Sequence, residues 1–160
     1  MVSRNVRAGP ARTFRETMRY QHRYRIENDA SIPAGEREAA LAEAMRQQER
    51  NVVASTEAWR RSIQDRDPLP TARRLRVPVL ILHGLTDRAV SPEDARLLAR
   101  TIRAAGNHNV ELRLFPGVNH HFQRDPIGAR EGYDKLPTQD LAPEVLAALC
   151  SWLKPTLRRR

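Results

Sequence analysis

Val77-Pro78-Val79-Leu80-Ile81-Leu82-His83-Gly84-Leu85-Thr86-Asp87 is the stretch that decides the fold. Its first half is apolar at nearly every position and rich in β-branched residues. A strand apolar on both faces belongs inside a parallel sheet, where each face is covered by helices. The run stops at His83-Gly84, so the segment predicts a strand over 77–82 followed by a loop.

Working outward, Ser91-Pro92-Glu93-Asp94 is a helix start. Ser supplies the N-cap oxygen, Pro occupies the first turn, and the acids complement the helix dipole. Ala95, Leu98, Ile102 and Ala105 fall on one face, and Gly106-Asn107 ends the helix. Val110-Glu111-Leu112-Arg113-Leu114-Phe115 then alternates, as a strand with one polar face does. Residues 77–115 thus form a strand, a helix and a strand, which is a right-handed crossover between parallel strands. Both strands end on one edge of the sheet, the edge where α/β folds place their ligands. A last helix runs from Pro143 to about Leu153, with Val145, Leu146, Leu149, Trp152 and Leu153 on one side.

Upstream, the chain divides near Asp67-Pro68-Leu69-Pro70. Thr13 to about Glu27 reads as helix, and Ser31-Ile32-Pro33-Ala34-Gly35 is a break. From Glu36, the residues Leu41, Met45, Gln48 and Val52 share a face. Thr56, Trp59 and Ile63 continue it after a restart near Ser55, with Trp59 expected in the core. The division is therefore a helical segment over 1–66, an α/β portion over 67–157 and a basic tail at 158–160.

Composition limits the partners. The chain has 160 residues and a net charge of +9, yet of its 28 basic residues only Lys135 and Lys154 are lysines. Arginine-rich usage of this kind, scattered among acids, follows from base composition as readily as from a ligand. With 5% aromatic residues there are few platforms on which bases could stack, so no nucleic acid is expected as partner. No run reaches the ~20 apolar residues of a spanning helix, and no membrane partner is expected. Cys150 is the lone cysteine, so no internal disulfide can form, and a cytoplasmic location is the expectation.

Two loops leave the functional edge of the sheet: Gly84-Leu85-Thr86-Asp87-Arg88 and Gly117-Val118-Asn119-His120-His121-Phe122. Adjacent parallel strands lie about 4.8 Å apart, so Asp87 and His120 can meet. A carboxylate behind an imidazole fixes its tautomer and stabilises the imidazolium formed when it takes a proton. Asp87 could equally be a turn residue ahead of the Ser91 helix, and His120 a loop histidine bonded to backbone. His121 is expected to be structural or exposed, and His83, at the end of its strand, to be a packed histidine ahead of a residue lining the site. His22 and His108 read as surface residues. Adjacent histidines rarely point at one ion, so neither a metal nor another cofactor is expected.

Pro78-Val-Leu-Ile-Leu-His-Gly84 followed by Asp87, then Pro116-Gly-Val-Asn-His-His-Phe122, resembles the end of a serine α/β-hydrolase. More narrowly, it resembles bacterial hydrolases related to the dienelactone hydrolase and prolyl oligopeptidase families. There the last two strands carry the acid and then the histidine, in the order Ser…Asp…His. The family spacing Gly-x-x-Asp falls on Gly84 and Asp87, and Gly-x-x-His-x-Phe falls on Gly117, His120 and Phe122. The resemblance implies a partial α/β-hydrolase fold: the last βαβα unit of a parallel sheet preceded by a cap-like helical insert. It implies Asp87 and His120 as catalytic residues, and a small-molecule ester or peptide as substrate in the intact family.

One departure bears on activity. The serines at 3, 31, 55, 62, 91 and 151 all lack a glycine two residues away, so none sits in a Gly-x-Ser-x-Gly elbow. Cys150, amid the apolar residues of the last helix, is a poor substitute nucleophile. The chain thus reads as the C-terminal portion of a hydrolase, from a truncated or decayed gene or half of a split enzyme, and inactive alone. A water- or metal-based mechanism at Asp87 and His120 is one alternative. The other is a non-enzymatic interaction module with a basic helical surface. Because Met1–Arg7 is a poor strand, the far edge of strand 77–82 is expected to be unpaired. It would then be open to an N-terminal complementing segment or to self-association.

Overall fold

The computed structural model describes residues 4–7, 9–55 and 58–158. Strand β1 (Arg4–Arg7) leads into helix α1 (Phe14–Glu27), a short 3-10 turn at Ala34–Glu36, and helices α2 (Arg37–Ala54), α3 (Ala58–Ile63) and α4 (Leu69–Ala72). Then follow β2 (Val79–Gly84), α5 (Pro92–Ala104), β3 (Val110–Phe115), a 3-10 turn at Arg130–Lys135 and α6 (Pro143–Arg158).

The three strands form one parallel sheet in the order β1-β2-β3. In its register Val79 lies opposite Val110 and Gly84 opposite Phe115. Every residue of β2 is buried, and its side chains alternate between two cores. Leu80 and Leu82 join Phe115, Val118, Phe122, Val145 and Trp152 beneath α6. Val79 and Ile81 join Ala95, Leu98, Ile102 and Val110 beneath α5. Each buried Val, Leu, Ile or Phe among them contributes about 1.5–3 kcal/mol by leaving water, so β2 anchors both layers. Strand β3 turns Leu112 and Leu114 toward the α5 core, while Glu111 and Arg113 occupy the opposite, wetter face.

The local signals for helices are answered by bonds. Thr13 caps α1 with a capping box: its hydroxyl accepts from Glu16 N–H at 3.2 Å, and its own N–H donates to the Glu16 carboxylate at 2.9 Å. Ser91 caps α5, accepting from Glu93 N–H at 3.3 Å. Caps of this kind stabilise a helix by about 1 kcal/mol.

Four expectations are corrected. First, β1 pairs in parallel along β2, with Arg4 opposite Val79 and Arg7 opposite Leu82. The far edge of β2 is therefore covered within the chain, and self-association through that edge is not required. A backbone ladder bonds N–H to C=O whatever the side chains, so a segment with little apolar character can supply it. Residues 4–7 accordingly belong to the sheet and not to the helical segment. Second, the central strand begins at Val79, two residues later than the apolar run, and includes His83 and Gly84. Pro78 has no N–H to give a ladder. Third, Trp59 is 54% exposed and not part of the core. The restart near Ser55 is seen only from Ala58, and Thr56 lies outside the described residues. Fourth, α6 extends to Arg158 and leaves Leu146 and Cys150 exposed.

Candidate functional site

Strands β2 and β3 end side by side, and their loops are stitched together at once. Leu85 N–H donates to Phe115 O at 2.8 Å, and Thr86 N–H to Val118 O at 3.2 Å. Thr86 Oγ1 donates to Asp125 O at 2.6 Å. Position 84 must be glycine: a Cβ there would stand 2.0 Å from Val118 O.

On this platform the Asp87 carboxylate is fully buried and receives donors on both oxygens. Oδ1 accepts from the N–H groups of Ala89 and Val90, each at 2.8 Å. Oδ2 faces His120 Nδ1 at 2.9 Å and His83 Nε2 at 3.3 Å. The first contact makes Nδ1 the protonated nitrogen of His120, because a carboxylate can only accept. Nε2 of His120 is then the unprotonated nitrogen, and the side chain is 32% exposed.

His120 sits on a turn built for position. Asn119, wholly buried, accepts through Oδ1 from His121 N–H at 2.9 Å and Gln123 N–H at 3.1 Å. Phe122 adopts φ 61°, unusual for a residue with a side chain. Such a conformation costs on the order of 1–3 kcal/mol and survives only where its surroundings over-determine it. Here Phe122 is buried beneath α6, and its carbonyl accepts from Ala142 N–H at 2.7 Å. His121 points elsewhere: it is exposed and its ring packs on Tyr133 at 4.7 Å. Burial, then the nearby charge of Asp87, pushes the Tyr133 hydroxyl up to about 12.

Two further side chains hold the Asp87 turn without any sign in the sequence. Tyr20 of α1 donates its hydroxyl to the backbone carbonyl of Asp87 at 2.8 Å, and Gln21 Nε2 donates to Ala89 O at 2.8 Å. No local pattern could disclose partners so distant along the chain. His83, for which lining the site was the second reading beside packing, lies against Asp87, and its spacing of four from that residue across a tight turn was the available signal. Burial holds the His83 imidazole below its ordinary range, and the Asp87 charge opposes that shift.

A cleft of about 790 Å³ opens between α1 and the 127–131 loop, lined in part by Tyr24, Arg25, Arg88 and Arg130. Neither Asp87 nor His120 lines it, so it adjoins the pair without containing it. Among the described residues no three His, Cys, Asp or Glu side chains are grouped to hold a metal ion. Nor is any helix of those residues long and apolar enough to cross a membrane.

A parallel sheet with helices on both faces, ending in paired acid and histidine loops, has the architecture of a partial α/β-hydrolase fold. The family described as serine aminopeptidase, S33, matches residues 15–127, and the chain belongs to that family. It is also similar to esterase EstD of Thermotoga maritima, with 26% identity over 117 residues that make up 71% of this chain and 28% of the esterase. The chain thus spans well under a third of that curated relative. A solved structure assigned as a dienelactone hydrolase of Klebsiella pneumoniae shares 24% identity at a TM-score of 0.33, over 46% of this chain and 32% of that one.

Proposed function

We propose that this chain supplies the acid and the histidine of a hydrolase acting on carboxylic ester or peptide bonds of small molecules. Asp87 is the acid and His120 the general base. The observation that carries this reading is the 2.9 Å contact between Asp87 Oδ2 and His120 Nδ1, which leaves Nε2 as the basic nitrogen. The nucleophile is a serine on a Gly-x-Ser-x-Gly elbow outside this sequence, contributed by an N-terminal complementing segment. His120 Nε2 takes the proton of that serine as its oxygen bonds to the carbonyl carbon. Asp87 stabilises the resulting imidazolium. The proton then passes to the leaving alcohol or amine as the scissile bond breaks, and water repeats the sequence on the acyl-enzyme. Residues 9–66 act as a cap over the 67–157 portion; the grip of Tyr20 and Gln21 on the acid turn supports that division. The lone cysteine supports a cytoplasmic setting.

The test mixes the purified chain with the upstream segment of an S33-family relative that bears the serine elbow. Hydrolysis of short-chain p-nitrophenyl esters is the readout. The chain alone should be inactive and unlabelled by a serine-directed phosphonate. The mixture should turn over, and His120→Gln should abolish that turnover. Hydrolysis by the chain alone, or an assembled but inactive mixture, would overturn the reading.

A further inference from the structure

His83 occupies the last inward position of β2 before Gly84, a place where an apolar side chain would bury without cost. It is wholly buried. Its Nε2 lies 3.1 Å from Val90 O and 3.3 Å from Asp87 Oδ2. Both are acceptors without a proton to offer, so Nε2 carries the hydrogen. The ring is then the Nε2–H tautomer, and its Nδ1 is a bare acceptor, buried with no hydrogen-bond partner. An orphaned polar atom of that kind is unfavourable, having lost its water without gaining a partner. Packing alone would not select it.

The same Val90 whose carbonyl takes the His83 proton sends its N–H to Asp87 Oδ1 at 2.8 Å. His83 therefore closes the acid turn from beneath, while its N–H edge lies against the oxygen that faces His120. The ionisable groups around it are Asp87, His120 and, from α5, Asp94.

We propose that His83 is a positioning residue for the Asp87–His120 pair: its Nε2–H, hydrogen-bonded to Val90 O, fixes Asp87 Oδ2 in place and withholds part of that oxygen's charge from His120. The catalytic meaning of this rests on the function proposed above; the geometry does not.

The experiment is imidazole-detected ¹H–¹⁵N NMR on the full chain across pH 5–8, comparing the native protein with His83→Leu and His83→Gln. Leu removes the donor. Gln offers an amide N–H near the place of Nε2. His83 should show the Nε2–H tautomer with an unprotonated Nδ1. In His83→Leu, an Asp87 less screened should bond the His120 Nδ1–H more strongly and move that proton downfield. In His83→Gln the resonance should return close to its native position. The proposal is overturned by an Nδ1–H tautomer at His83, by an unchanged His120 Nδ1–H resonance in folded His83→Leu, or by a His83→Gln shift as large as that of His83→Leu. Should His83→Leu fail to fold, the native tautomer and the His83→Gln resonance still decide. Failure of the complementation assay alongside the expected spectra would remove the hydrolase reading and leave the positioning role standing.

Discussion

The Tyr20 hydroxyl donates to the backbone carbonyl of Asp87 at 2.8 Å, joining the first helix to the acid turn across 67 residues of sequence. With Gln21 on Ala89 O, it makes α1 part of the wall that holds the acid in place. Tyr20→Phe keeps the ring and removes only the donor. A loss of about 1 kcal/mol is expected from the deleted hydrogen bond. Urea unfolding should record it, with faster amide exchange across α1. An unchanged midpoint and unchanged exchange would mean that α1 is held by its other contacts alone.

Gly84 is the closest approach between β2 and the histidine loop. An alanine methyl there would stand 2.0 Å from Val118 O, 2.6 Å from Val118 C and 2.9 Å from Asn119 O. All three are backbone atoms that cannot rotate aside, so Gly84→Ala should cost roughly 3 kcal/mol or more. Gly35→Ala is the control, because nothing lies within 4 Å of its added methyl. Thermal melts by circular dichroism should separate the two clearly. Equal melting temperatures would refute the close approach.

Asn119 holds the histidine turn through its side chain. Asn119→Ala would strand the N–H groups of His121 and Gln123, which now donate to Oδ1. With the two longer bonds that Nδ2 donates to Gln123 Oε1 and Asp125 Oδ2, each at 3.3 Å, four bonds are lost in a buried setting, and the expected destabilisation is about 2–4 kcal/mol. Chemical unfolding measures it. A loss below half of the lower figure would show that the backbone bond from Phe122 N–H to Asn119 O suffices to hold the turn.

Asp94 is buried at the start of α5, where its Oδ2 accepts from Ala11 N–H at 3.1 Å and its Oδ1 faces Arg12 Nη1 at 3.2 Å. Burial, the largest influence, raises its pKa above the ordinary 3.8, against the lowering effect of the Ala11 bond and the Arg12 charge. The folded state therefore binds this proton more tightly than the unfolded state does. The favourable contribution is fully present below pH 3.8 and is lost as pH rises through the folded value. Relative to Asp94→Asn, which cannot titrate, the native chain should lose stability as pH climbs from about 3.8 upward. Paired urea titrations over that range give the sign. A difference that grows in the native chain's favour with rising pH would show that Arg12 outweighs burial.

Much of this protein was written locally. The apolar run ahead of His83-Gly84, the Ser91-Pro92 cap and the alternation of 110–115 each declare burial through side-chain period. Together they determine two parallel strands with a crossover helix. From that topology alone Asp87 and His120 fall on one edge, because parallel neighbours release their loops together. Tertiary structure decided the rest. Arg4–Arg7 completes the sheet through backbone bonds, which leave no mark on the choice of side chain. Trp59 faces solvent because a helical repeat states which residues share a face, not whether anything covers it. Tyr20 reaches Asp87 only once α1 lies across the acid turn. A local pattern records what a residue does with its near neighbours in sequence; a hydrogen bond that spans the fold exists only after the chain has brought its ends of that bond together.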